Sequence, residues 1–414
     1  MNETTFNELA GWVTEAGLIG RSETELMAGF CRRVVEAGVP LARALVILDT
    51  LHPIYEGRAF LWRSDRPETA EIREYGRTNE GEAAESWRRS VFFHLLQSGE
   101  KMLRRRLTAG DPVDFLSFKE ARDEGMTDYL ALIHRFADEG VIGEMDCVYS
   151  AWSSDAADGF GEAAVAALKR LAPFLKLAVK SAALARMAGT LAETYLGRDP
   201  ARRVMSGRIV RGVAEKIGAV LWYSDLHGYT QISDNSPPEQ IIPLLNDYAE
   251  VVISAVHRHG GDVLKLVGDG TLAIFTTENR QSACLAALAA AAQVRQGAAR
   301  LNESRSQAGL PTTAVYLALH VGDVFYGNVG SKDRLDFTVI GPAVNEVSRI
   351  LAMSRSVEQD LLLSASFADA LGPGMRSRLV SVGRYALRGV AQPQELFTPE
   401  PDFHIALPAS VKPV

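Results

Sequence analysis

The stretch DVLKLVGDGTLAIF, residues 262–275, constrains the fold more than any other part of this 414-residue chain. Two apolar runs, DVLKLV and TLAIF, are joined by Gly-Asp-Gly, and a short turn of Gly and Asp between such runs predicts a β-hairpin. The hairpin places Asp269 in a tight turn between two paired strands.

Strand and helix patterns alternate on both sides of this hairpin, from about residue 216 to 399. AVLWYSD predicts a strand, PPEQIIPLLNDYAEVVISAVHRH a helix that ends at Gly260-Gly261, and RQSACLAALAAAAQVRQGAARLNES a second helix. TAVYLALHVGDVFYG predicts a strand with a turn, LDFTVIG a further strand and PAVNEVSRILAMS a helix. The order β-α-β-β-α-β predicts an α+β fold with a ferredoxin-like core, and LVSVGRYALRGVAQPQELFTP predicts a terminal hairpin before a tail at 400–414.

Residues 1–185 are predicted to form a separate mixed α/β domain. RALVILDTLH, RAFLWR and MDCVYSAW predict strands, while SWRRSVFFHLLQSGEKML predicts one helix because its apolar residues recur at helical spacing. We interpret the basic run KMLRRRL at the end of that helix as a solvated helix terminus.

A helical connector is predicted at residues 186–215, continuing a helical pattern that begins near Gly161. Four residues of this pattern are spaced by four, three and four, which makes a short a/d seam: Leu184, Ala188, Leu191 and Tyr195. The seam favours a parallel helical pair between two chains slightly over a helix lying on its own domain. Gly197 is expected to end the helix, with Asp199 and Pro200 at the N-cap and N1 of a second, shorter helix.

The composition is that of an ordinary globular protein, with 47% apolar and 23% charged residues. Lys and Arg number 44 against 51 Asp and Glu, a net charge of −7, so no basic field favours nucleic acid or an anionic membrane. Three widely separated cysteines suggest neither disulfides nor a zinc site. We find no signal-peptide pattern and no apolar window long enough to span a bilayer, and therefore expect a soluble, cytoplasmic protein.

Two aspartates stand where neighbouring strands end. Asp225 follows the apolar strand in VLWYSDLHGYT and Asp269 lies in the hairpin turn, and the two strands are adjacent in a ferredoxin-like sheet. Magnesium binds few carboxylates together with phosphate oxygens and water, so this pair suits a metal–triphosphate complex. The turn after Asp225 exposes backbone N–H groups ahead of a helix, which suits phosphate binding.

Three further polar residues have more than one interpretation. Asn345 and Arg349 are four residues apart on a predicted helix and share a face, as a site that orients a ribose and neutralises a phosphoryl group requires. Taken alone, Arg349 is instead expected to pair with Glu346 or solvent. Lys265 on its strand is compatible with an outward-facing, solvated side chain.

Taken together, SDLHGYT, KLVGDG and FTVIGPAVNEVSR resemble the class III nucleotidyl cyclases, the adenylyl and guanylyl cyclase family, over about residues 216–399. The resemblance implies that Asp225, Asp269 and the backbone of Leu226 bind two Mg²⁺ or Mn²⁺ ions per site. It also implies roles for eight other residues: Lys265 and Thr338 in reading adenine, Asn345 and Arg349 in catalysis, and Gly228, Tyr229, Thr230 and Arg388 in phosphate binding. Arg388 is assigned because Val390 occupies the position at which many members carry a phosphate-binding lysine.

The reaction implied is attack of the ATP 3′-hydroxyl on the α-phosphate, giving 3′,5′-cyclic AMP and pyrophosphate. Lys265 is expected to donate to adenine N1 and Thr338 to accept from the exocyclic amine, where guanylyl cyclases carry Glu and Cys-like residues. The resemblance further implies a head-to-tail homodimer with two shared sites. In it, the metal aspartates and the Lys/Thr pair come from one chain and Asn345 and Arg349 from the other.

Two alternatives keep the same fold: a guanylate cyclase, and a nucleotide-binding or dimeric signalling module without activity. A diguanylate cyclase, suggested by the GGD of HGGDVLK, is excluded because the Glu-Phe continuation is absent.

In the first half of the chain, the run GMTDYLALIHRFADEG, a strand, DGF and a long helix resemble part of a GAF-type sensor domain. This implies an unidentified small-molecule or protein regulator. A dimerisation scaffold without a ligand is the alternative.

Overall fold

The computed structural model describes residues 1–108, 110–136, 145–276, 278–390 and 392–400, and the chain divides into two compact units, residues 1–191 and 192–414. Most of the tail predicted at 400–414, and the end of the run GMTDYLALIHRFADEG, lie outside the described residues. Across the described ranges, none of the helices combines the length and apolarity needed to cross a membrane.

The first unit is built on a six-stranded antiparallel sheet with the order β3-β2-β1-β6-β5-β4. Its strands are β1 (Arg43–Asp49), β2 (Gly57–Arg63), β3 (Glu71–Tyr75), β4 (Met102–Arg106), β5 (Asp128–Arg135) and β6 (Cys147–Ser154). Its helices are α1 (Glu3–Leu18), α2 (Glu23–Glu36), α3 (Gly81–Arg88), α4 (Val91–Ser98), α5 (Leu116–Asp123) and α6 (Glu162–Leu196). Helices α1, α2 and α6 bury one face of the sheet, and α3, α4 and α5 cover part of the other.

Two sequence interpretations in this unit are wrong. The helix predicted over SWRRSVFFHLLQSGEKML is two helices, because Ser90 caps α4 by accepting a hydrogen bond from the Phe93 N–H (3.1 Å). The basic run is strand β4 rather than a helix terminus. Arg104 on this strand forms an ion pair with Asp128 (2.7 Å), whose side chain is fully buried, so the run holds β4 to β5.

A buried lysine connects α6 to the sheet. Lys176 is only 3% exposed, and its Nζ donates to the carbonyl oxygens of Leu132 (3.1 Å) and Val148 (3.3 Å) and lies 2.8 Å from His134 Nδ1. Burial lowers the pKa of Lys176 to about 7, and burial together with the Lys176 charge lowers the pKa of His134 to about 4.

We expect this lysine to make folding stability depend on pH. Between the pKa of about 7 in the folded chain and the ordinary lysine value near 10.5, the unfolded state binds the extra proton, so stability rises with pH across that window. Lys176→Met is expected to flatten the rise in melting temperature from pH 7 to 9, and scanning calorimetry measures it. Lys169→Met, on the exposed side of α6, is the control and should keep the wild-type slope. An unchanged slope in Lys176→Met would contradict this assignment.

The second unit contains an eight-stranded sheet. Seven of its strands follow the order β13-β14-β12-β10-β7-β9-β8, and the eighth, β11, pairs with β10. Its strands are β7 (Ala214–Leu226), β8 (Asp262–Val267), β9 (Gly270–Phe275), β10 (Val315–Gly330), β11 (Leu335–Ile340), β12 (Leu361–Ser364), β13 (Leu379–Tyr385) and β14 (Gln394–Pro399). Its helices are α7 (Arg198–Met205), α8 (Tyr229–Asn235), α9 (Pro238–Arg258), α10 (Arg280–Gln307), α11 (Pro342–Val357), α12 (Ala365–Ala370) and α13 (Pro373–Arg376).

The ferredoxin-like core is confirmed. Strands β10, β7, β9 and β8 are adjacent in that order and antiparallel throughout, as a split βαβ arrangement requires. Helices α9 and α10 pack on one face of this sheet and α11 packs on the other. The carboxyl end of β7 and the β8–β9 turn therefore meet at one edge of the sheet.

Two local predictions in this unit are wrong, and one strand was not predicted. The segment predicted as a strand with a turn is the continuous strand β10, because thirteen of its sixteen residues pair with the thirteen residues of β7. The short strand β12 was not predicted. Asp199 is not an N-cap: Gly197 holds that position, and the Asp199 carboxylate instead accepts hydrogen bonds from Arg203 Nε (2.6 Å) and the Tyr326 hydroxyl (2.9 Å).

Candidate active site

Two carboxylates meet where β7 ends. Asp225 is the penultimate residue of β7, and Asp269 lies in the turn between β8 and β9. The Leu226 N–H donates to Asp269 Oδ2 (3.2 Å), which ties the strand end to the turn. The turn needs its glycines: Gly268 has φ +64°, and a Cβ on Gly270 would lie 3.1 Å from the Ser224 carbonyl oxygen.

Asp269 is close enough to Asp225 to change the pKa of the Asp225 carboxyl. Burial, followed by the hydrogen bond and charge of Asp269, raises the pKa of Asp225 to about 7, while the Leu226 N–H and the more distant Arg355 oppose this. Two carboxylates that repel in this way bind a cation favourably, because the cation replaces the shared proton. The donor set therefore fits a divalent ion of the Mg²⁺ type. Nowhere in the described ranges do three or more His, Cys, Asp or Glu side chains gather to form a denser metal site.

A cavity of about 180 Å³ opens beside the carboxylates. Helix α9 forms its apolar wall through Ile242, Leu245 and Ala249, and the exposed Leu266 of β8 closes the opposite side. The cavity thus lies on the side of the sheet that α9 and α10 cover.

The turn that follows Asp225 begins a short helix. Gly228 has φ +68° and is the N-cap of α8, so Tyr229 and Thr230 form its first turn. One exposed residue, His227, separates Leu226 from Gly228.

Lys265 and Thr338 are not among the residues that line the carboxylate cavity. The Lys265 ammonium forms an ion pair with Asp336 on β11, and Asp336 and Thr338 share a face because the residues flanking Thr338, Phe337 and Val339, are buried. Leu266, not Lys265, lines the cavity. Sequence reasoning missed Asp336, although its spacing of two residues from Thr338 on a strand was the available signal.

Asn345 and Arg349 lie on α11, on the other side of the sheet. Asn345 is exposed, and the guanidinium of the half-buried Arg349 lies against Gly389, where a Cβ would approach Arg349 Nη1 to 3.2 Å. The expected alternative partner, Glu346, has its carboxylate 3.6 Å from His320 Nε2.

Arg388 is exposed and precedes Gly389, whose backbone in the loop between β13 and β14 lies against the Arg349 guanidinium. Val390 is partly buried against the apolar cluster under α11. The candidate residues of one chain therefore form two groups, one at the carboxylate cavity and one around β11, α11 and the β13–β14 loop.

Part of this chain is similar to known proteins. Residues 214–398 match the family model of the adenylate and guanylate cyclase catalytic domain. An uncharacterized protein of Mycobacterium tuberculosis is 34% identical over 206 residues, which are 50% of this chain and 36% of the relative. An adenylate cyclase of Anabaena cylindrica is 34% identical over 159 residues, 37% of this chain and 31% of that enzyme. The chain thus spans about a third of the length of these curated relatives.

Among solved structures, a bacterial light-regulated adenylyl cyclase is 20% identical to this chain. The match covers 56% of this chain and 64% of that one, with a TM-score of 0.47.

Proposed function

We propose that this protein is an adenylate cyclase, which converts ATP to 3′,5′-cyclic AMP and pyrophosphate through its domain at residues 216–399. The observation that carries the proposal is the pair Asp225 and Asp269, held together at adjacent strand ends beside a glycine turn. The match of residues 214–398 to cyclase catalytic domains supports it, as does the relative from Anabaena that is named an adenylate cyclase.

Asp225, Asp269 and the backbone carbonyl of Leu226 are the groups that would hold two Mg²⁺ or Mn²⁺ ions. When bound, such ions lower the pKa of the attacking hydroxyl and offset the charge that develops on the phosphates. Gly228, Tyr229 and Thr230 direct backbone N–H groups at the β- and γ-phosphates. In the reaction, the ATP 3′-hydroxyl gives its proton to water and its oxygen bonds to the α-phosphorus. The bond from that phosphorus to the bridging oxygen breaks, and pyrophosphate leaves with the electron pair.

Base recognition is assigned to Lys265 and Thr338. Lys265 donates to adenine N1, and Thr338 accepts from the exocyclic amine. The ion pair with Asp336 supports this, because it keeps the Lys265 ammonium on the face of β11 that carries Thr338. In free protein the pair also occupies the lysine, so nucleotide must compete for one of its three donors.

Asn345 and Arg349 supply the catalytic contacts to the ribose and the α-phosphate. Arg388 joins them as a second phosphate-binding guanidinium, since Gly389 places its loop against Arg349.

A complete site requires two chains. The carboxylate cavity is lined from the α9 side. Lys265, Asn345 and Arg349 take no part in this lining, and neither does Thr338. We therefore assign Asp225 and Asp269 to one chain of a homodimer and Lys265, Thr338, Asn345 and Arg349 to its partner. This division differs from the sequence expectation, which joined Lys265 and Thr338 to the aspartates of their own chain.

Residues 1–185 are assigned a regulatory role as a GAF-like sensor, and residues 186–215 the role of a connector in a cytoplasmic protein. The long helix α6 supports this, since it carries the seam that ends at Tyr195, which is 81% exposed. A second copy of α6 packed in parallel along this seam would let a ligand of the first domain change the helical register and so the fit of the two half-sites.

The test is product identification. Full-length protein is incubated with ATP or GTP and with Mg²⁺ or Mn²⁺, and the products are identified by mass, with Asp225→Ala as the control for contaminating activity. We expect cyclic AMP and pyrophosphate. Cyclic GMP as the main product would overturn the assignment of the base. Absence of product from a proven dimer, with residues 200–414 also inactive, would favour a non-catalytic module.

A further inference from the structure

A buried threonine contacts the backbone two residues after Asp225. Thr313 lies in the loop between α10 and β10, is 8% exposed, and its hydroxyl donates to the His227 carbonyl oxygen (2.6 Å). The His227 N–H donates in turn to the Ala314 carbonyl oxygen (2.8 Å). Both backbone groups of His227, the residue between Leu226 and Gly228, therefore form hydrogen bonds with two consecutive residues, Thr313 and Ala314.

The backbone of Thr313 is itself held at both of its hydrogen-bonding groups. Its N–H donates to the hydroxyl oxygen of Tyr248 on α9 (2.8 Å), and its carbonyl oxygen accepts from Asn302 Nδ2 on α10 (2.8 Å). The Tyr248 hydroxyl donates to Asn302 Oδ1 and so closes the ring of contacts. Tyr248 is 1% exposed, so the ring is shielded from water and its bonds are stronger than surface ones.

The same loop has a charged anchor. Arg305 is 3% exposed, forms an ion pair with Asp247 on α9, and donates from Nε to the Pro311 carbonyl oxygen (2.7 Å). Burying an arginine and an amide costs free energy unless they are paired. The ion pair with Asp247 and the contact with Pro311 offset that cost, so the loop that carries Thr313 is anchored to both α9 and α10.

We propose that Thr313 is a positioning residue that sets the peptides on either side of His227 and thereby the metal-binding geometry of Leu226 and Asp225. The inference rests on the proposed function. Asp225 and Leu226 lie at the end of β7, where the strand pairing with β10 stops at Val315. Beyond that point, Thr313 and Ala314 hold the backbone of the next residue, His227, by hydrogen bonds. Without the hydroxyl, the carbonyl oxygen of His227 loses this donor, and the turn gains freedom to rotate away from the metal.

The experiment compares Thr313→Val with Thr313→Ser in the full-length protein. Valine keeps the shape and removes the hydroxyl, whereas serine keeps the hydroxyl. Mn²⁺ binding in the presence of a non-cyclisable ATP analogue is measured by calorimetry, alongside the Mg²⁺ dependence of turnover. Loss of one buried hydrogen bond predicts that Thr313→Val weakens Mn²⁺ binding about three- to tenfold, and that Thr313→Ser stays within about twofold of wild type.

Two further variants separate positioning from folding. Ser364→Ala removes a buried helix cap elsewhere in the same sheet and should lower the melting temperature without changing Mn²⁺ affinity. Tyr248→Phe breaks the ring that orients Thr313 and should weaken Mn²⁺ binding in the same direction, which keeps the test available if Thr313→Val fails to fold.

Wild-type Mn²⁺ affinity in Thr313→Val would overturn the inference, as would equal weakening in the valine and serine variants. A wild-type protein that binds Mn²⁺ with this threonine dependence but releases no cyclic nucleotide would leave the inference standing and remove the proposed function.

Discussion

Asp269→Ala and Asn345→Ala are each expected to lose ATP turnover by about 10³-fold or more, yet a heterodimer of the two is expected to work at about half the wild-type rate. One chain of the heterodimer keeps both carboxylates and the other keeps the amide, so one of the two sites is intact. Co-expression with two different tags and tandem purification isolates the mixed dimer, and cyclic AMP production measures its rate. Homodimers of each variant, purified in the same way, are the controls.

The position of Lys265 makes this experiment sharper. If Lys265 acts with its partner's carboxylates, as the cavity lining and the Asp336 ion pair suggest, Lys265→Ala should complement Asp269→Ala and should fail to complement Asn345→Ala. The reverse pattern would restore the sequence expectation that Lys265 and Asp269 act within one chain. Failure of every proven mixed dimer would argue against shared sites altogether.

The fold of the second unit was predictable because its signals are local. The Gly-Asp-Gly turn and the alternation of apolar runs with amphipathic helices fix the strand order, and with it the approach of Asp225 to Asp269. A glycine turn and a strand end each depend on neighbours within a few residues, which a sequence displays directly.

What the sequence did not display depends on residues far apart along the chain. Asp336 and Lys265 are 71 positions apart in the sequence, and they form an ion pair because the fold brings β11 close to β8. The sequence alone presents Thr313 as an ordinary loop residue, because its hydrogen-bond partner His227 is 86 positions away. The basic run at β4 was misread for the same reason, since Arg104 finds its partner Asp128 on a neighbouring strand.

Replacing Lys265 by Glu together with Thr338 by Cys is expected to lower the preference for ATP over GTP by about 10²-fold, because a carboxylate accepts from the guanine N1–H and N2 amine while it repels adenine N1. The ratio of kcat/KM for the two nucleotides measures this. Lys216→Glu, an exposed lysine of β7 that pairs with Asp323, is the matched charge reversal and should leave the ratio unchanged.

The Asp336 ion pair predicts a limit to this switch. A glutamate at position 265 meets the Asp336 carboxylate in place of its cation, so the double variant should gain GTP preference and still turn over slowly. Asp336→Asn, added as a third change, removes the repulsion and should raise GTP turnover by about two- to fivefold, since one like-charge contact between half-exposed side chains costs on the order of 0.5–1 kcal/mol. An unchanged ATP-to-GTP ratio in both variants would remove Lys265 and Thr338 from base recognition. If the ATP-to-GTP ratio changes but Asp336→Asn does not raise GTP turnover, Lys265 and Thr338 keep their role in base recognition. Asp336 would then have no part in holding Lys265 in place.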